Sequence, residues 1–112
     1  HAHGDNTKTW RKCIDRWATS GGPRLVLTHQ TDEAIPGMHN PGGFTDGDRA
    51  ACFLSWLDVP PEKIRWAGFA TDRVGPWSGT TDPQRKLAKL SWMERVLRCI
   101  DARWDERCLE NR

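Results

Sequence analysis

Apolar residues recur along this chain with two periods, and the changes between them mark its elements. Trp10, Cys13, Ile14, Trp17 and Ala18 fall at i, i+3, i+4, i+7 and i+8, with Arg11, Lys12, Asp15 and Arg16 between them. That spacing predicts an amphipathic helix over residues 7–19. Asp5, Asn6 or Thr7 can cap it, and Gly21-Gly22-Pro23 stops it. The consecutive run from Arg24 to Thr28 predicts a strand buried on both faces. A second helix is predicted from Thr45 or Asp46 to about Leu57, with Ala50, Phe53, Leu54 and Leu57 on its inner stripe and Pro60-Pro61 beyond its end. Between Lys63 and Ala70 the period shortens to two: Ile64, Trp66 and Gly68 alternate with Arg65, Ala67 and Phe69, which predicts a second strand.

Asp82-Pro83 places a cap before a first-turn proline, so a third helix is predicted from there to about Leu109. Its main stripe is Leu87, Leu90, Met93, Leu97, Ile100 and Trp104, widened by Trp92, Val96 and Cys99. So wide a face predicts two packing partners: the helix is central, or it also meets a second subunit in a homo-oligomer. At about 40 Å the helix would outrun a domain of this size and is expected to bend, fray or project.

The order is therefore α-β-α-β-α, a small α/β (or α+β) fold. A two-stranded sheet is packed by three helices, and the long crossover between the strands favours a parallel pair. The 112 residues are expected to form one domain, residues 1–6 being flexible or tag-derived.

Composition narrows the function only a little. Seven tryptophans offset an apolar content of 37% by their bulk. A net charge of +2 is no footprint of nucleic-acid binding by itself. No apolar run approaches the roughly 20 residues needed to span a bilayer, so no membrane partner is expected. Cys13, Cys52, Cys99 and Cys108 lack the paired spacing of a zinc ribbon. Four free thiols suit a cytoplasmic protein, the preferred reading, whereas two disulfides would suit a secreted one. If Cys99 and Cys108 share one helix they stand roughly 13 Å apart, too far for a bond to each other. His1 and His3 fit a tag remnant better than a copper-chelating mature terminus.

Candidate chemistry gathers in two polar loops, 28–48 and 71–82. Ligands of open α/β sheets bind beyond the carboxyl ends of the strands. With parallel strands, His29, Asp32, His39, Asp72 and Arg73 would face one cleft, the first four as candidate catalytic groups. Gly42, Gly43 and Thr45, leading into a helix, are candidate ligand-binding residues, with Arg73, for an anion held by free backbone N–H groups. Asp46 and Asp48 in the first turn oppose that use. Asp32, Asp46, Asp48 and Asp72 also admit a divalent metal, although no ligand set has diagnostic spacing.

Three functions fit. The first is a domain, whether enzyme or not, that binds a small polar or phosphorylated ligand through the two loops. The second is a protein-interaction or inhibitor protein docking through a Trp-rich helical surface. The third is a helix-turn-helix-like DNA binder in which Pro61 opens the recognition helix and Lys63, Arg65 and Arg73 face DNA.

Overall fold

The computed structural model describes residues 4–75, 78 and 80–109. Along it run helix α1 (Thr7–Thr19), helix α2 (Asp46–Trp56), strand β1 (Trp66–Ala67), helix α3 (Pro83–Ile100) and strand β2 (Cys108–Leu109). Three helices and a short two-stranded parallel sheet make a small α/β fold. With Thr28, which forms an isolated parallel bridge to His39, counted as the first β position, the order before β2 is α-β-α-β-α. The chain divides into two compact units, residues 1–29 with 33–39, and residues 30–32 with 40–112.

In the first unit α1 follows a single 3-10 turn, Gly4–Asn6. Gly21 adopts φ +63, and the Gly22 N–H donates back to the Trp17 carbonyl at 2.9 Å, closing the helix as its Gly-Gly-Pro predicts. No residue of α1 is buried. Leu25, Val26 and Leu27 are exposed as well, against the expectation of a strand covered on both faces. Only its end is paired: the His39 N–H donates to Leu27 at 2.9 Å, and the His29 N–H donates to His39 at 3.0 Å.

The second unit holds the core, made of Ala51, Ile64, Trp66, Leu90, Met93, Leu97 and Trp104. α2 turns toward it a face one residue away from the predicted stripe. Ala51 is buried, Leu54 is partly buried, and Ala50 and Leu57 are exposed. The cause is Asp48, which is fully buried and therefore breaks the apolar pattern at a core position. Its carboxylate accepts from the Phe44 N–H at 2.7 Å and from the Thr45 N–H and hydroxyl at 2.5 and 2.6 Å. This is a capping box in which aspartate replaces the usual glutamate or glutamine. α2 ends in a Schellman closure: Val59 N–H to Leu54 and Asp58 N–H to Ser55, both 3.0 Å, with Asp58 at φ +56.

Only one 3-10 turn, Pro61–Lys63, follows. The recognition helix of the helix-turn-helix reading is thus not formed, because the chain extends at Ile64 and enters β1. Ile64 and Trp66 are buried while Arg65 and Ala67 are exposed, the period-two pattern predicted for this stretch. Gly68, at φ +74, ends the strand short of Ala70.

α3 starts as predicted. Asp82 accepts from the Arg85 N–H at 2.7 Å, and Pro83 occupies the first turn. It stops nine residues before Leu109, so it neither outruns the domain nor carries Cys108. Asp101 is the reason. Its position follows Leu97 by four on the buried face, so a continuing helix would bury the carboxylate without a partner. Instead that carboxylate accepts from the Arg103 N–H at 3.0 Å and from the Arg107 guanidinium. This local bonding competes with helix continuation. The chain turns, buries Trp104, makes a 3-10 turn at Asp105–Arg107 and enters β2. Trp66 then faces Cys108, and Ala67 faces Leu109, in parallel register. The partner of β1 is therefore the segment read as helix, not residues 24–28.

No helix among the described residues is long and apolar enough to cross a membrane.

Candidate functional site

β1 and β2 run in the same direction, so their carboxyl ends lie together. A half-open cleft of about 480 Å³ follows β1, walled on one side by Gly68–Arg73 and on the other by Trp104 and Asp105, which precede β2, and by Cys108 and Leu109 within it. That volume falls within the range of small-molecule sites, roughly 300–1,000 Å³. One wall is anchored to the core: Phe69 meets Trp66 edge to face, ring centroids 5.3 Å apart, and its carbonyl lies 3.7 Å from the Cys108 thiol. The other is anchored by the pairing of Asp101 with Arg107, which fixes the turn carrying Trp104 and Asp105. Burial by itself would raise the pKa of Asp101. The Arg107 and Arg103 hydrogen bonds and the positive charge of both arginines outweigh it and hold the carboxyl below its ordinary value.

Asp72 and Arg73 provide the charge at the cleft. Their side chains approach to 3.6 Å and are more than two-thirds exposed. An ion pair in that setting adds at most about 1 kcal/mol to stability and can be exchanged for ligand contacts at little cost. On the opposite wall Asp105 already engages Arg98 at 3.3 Å, and Arg98 also holds Glu94 at 3.0 Å. The buried indole N–H groups of Trp66 and Trp104 have no hydrogen-bond partner.

Of the residues singled out from sequence, Asp72 and Arg73 line this cleft, and Asp32, Gly42, Gly43 and Thr45 are not among its lining residues. The Thr45 hydroxyl is engaged by Asp48 and lies 3.2 Å from the Met93 sulfur. The Phe44 and Thr45 N–H groups just before α2, which could have met an anion, donate to the Asp48 carboxylate instead. Gly43 is required by the backbone: its φ is +92, and a Cβ there would fall 2.7 Å from the Arg49 nitrogen. Gly42, at φ +97, receives the Asn40 side-chain oxygen on its N–H at 3.2 Å. Asp32 is exposed. His29 and His39 lie in the first unit, their backbones joined through the Thr28–His39 bridge.

Phe69, Trp104, Asp105, Cys108 and Leu109 were not singled out as site residues. The one signal for the last four is Asp101, a charge on the buried stripe of the predicted helix. Among the described residues no three His, Cys, Asp or Glu side chains gather as a metal set. His1 and His3, and positions 76, 77 and 79 of the second loop, lie outside the described residues. All four cysteines are free thiols. Burial, and then the nearby charge of Asp48, push the Cys52 thiol up.

No protein-family model, curated protein or solved structure matches this chain.

Proposed function

We propose that the protein binds a small polar ligand carrying an anionic group, a carboxylate or a phosphate, in the cleft that follows β1. The observation that carries this reading is the meeting of a ligand-sized cleft, the carboxyl end of β1 and the exposed Asp72–Arg73 pair. Arg73 suits the anionic group, since a guanidinium presents a planar fork of donors. Asp72 suits a hydroxyl or amine of the same molecule. Phe69 and Leu109 offer apolar contact.

Thermal shift and NMR titration against amino acids, nucleotides and sugar phosphates test the reading. A true ligand at 100 times its Kd stabilises by about 2.7 kcal/mol. Amide shifts should map to residues 68–73 and 104–109, and Arg73→Ala should abolish them without lowering the ligand-free melting temperature. Shifts confined to other residues, or none from any anionic compound, would reject it.

A further inference from the structure

α3 has a second face that the cleft does not use. Leu90, Met93 and Leu97 point into the core, while Arg85, Lys89, Trp92 and Arg95 follow one another at +4, +3 and +3 along an exposed ridge. On α3 no acidic residue occurs from Pro83 to Met93, and Glu94 lies off the ridge, held by Arg98, while the exposed Asp46, two residues beyond Phe44, opposes the three cations. Trp92 is 49% exposed and Phe44 is 55% exposed. Their ring centroids are 5.7 Å apart at an interplanar angle of 39°, and the Arg95 guanidinium carbon stands 4.6 Å from the Trp92 ring centre.

We propose that this ridge, with Phe44, binds single-stranded nucleic acid. Two half-exposed aromatic rings within a set of three cations combine what such binding uses: π-faces on which bases stack, and positive charge along the path of the phosphates. Charge complementarity decides the occupant. An apolar protein helix would have to bury Arg85, Lys89 and Arg95 beside two rings, whereas a polyanion is attracted by all three. The ten steps from Arg85 to Arg95 rise about 15 Å, long enough for a short run of a single strand's phosphates. Bases are read here by stacking, so sequence preference is weak. The site is independent of the cleft, sharing no residue with it.

The test is fluorescence anisotropy with labelled single strands of twelve thymidines or twelve uridines at low salt. Binding is expected to weaken as salt rises with a log–log slope of about −2, three cations at roughly 0.7 each. Trp92→Ala and Phe44→Ala should each weaken it about tenfold or more, Trp92→Phe should restore most of it, and Lys89→Glu should abolish it. These positions are exposed, and circular dichroism of each variant is to match the parent's. The proposal is overturned if neither strand binds at low salt, if Trp92→Ala binds as the parent does, if a duplex of equal length binds as tightly, or if polyglutamate competes as well as the strand.

Discussion

Asp101 ends a helix, satisfies a backbone donor and meets a guanidinium, and its titration should be visible in stability. Its folded pKa is depressed below the ordinary carboxylate value of about 3.9. The stability it contributes is therefore present above that value and lost as pH falls through the lower, folded one. Urea unfolding from pH 7 to pH 2 should show the parent weakening below about pH 4, and Asp101→Asn should flatten that decline. Arg107→Met leaves the buried carboxylate without its cation and should cost about 2–4 kcal/mol at pH 7. A loss below about 0.5 kcal/mol, the level of ordinary surface changes, would show that the pair does not hold the turn.

The loop entering α2 is built by backbone demands, and these can be measured. Gly43→Ala should destabilise by about 1–3 kcal/mol, since it adds left-handed strain to a collision with the Arg49 backbone. Gly37→Ala, at φ +75 with nothing within 4 Å of the added methyl, should cost only the strain, about 1 kcal/mol. Equal losses in chemical denaturation would contradict the close approach at Gly43. Element starts were legible in the sequence because caps are local: Asp82-Pro83 sets α3, and Thr45 with Asp48 sets α2. What depends on distant partners was not legible. Asp48 is buried because two loop N–H groups and a hydroxyl surround it, so the inner stripe of α2 falls one residue from its apparent place. α3 ends through an arginine six residues ahead, and β1 finds its partner in a stretch with helical spacing. The candidate site divides the same way. Asp72 and Arg73 were expected from the rule of strand ends, with residues 24–28 taken as the partner strand, while Trp104, Cys108 and Leu109 follow only once the helix is known to break.

Across the whole molecule, burial is unequal between the two units. Every buried residue named in the core belongs to residues 46–104, and α1 contributes none. Local opening free energy rises with buried apolar contact. Native-state hydrogen exchange should therefore leave amides of α1 exchanging at least 100-fold faster than those around Leu90–Leu97, a gap of about 2.7 kcal/mol. Comparable protection in both would contradict this division.

The parallel register sets Trp66 opposite Cys108, roughly forty residues later in the chain. During synthesis at about 5–20 residues per second, β1 waits some 2–8 seconds for its partner. Through that interval the edge of β1 and the Trp66 indole lack the strand that pairs with them in the finished fold. The length of that exposure is thus set by the ribosome's pace, and slow codons between positions 67 and 108 would lengthen it.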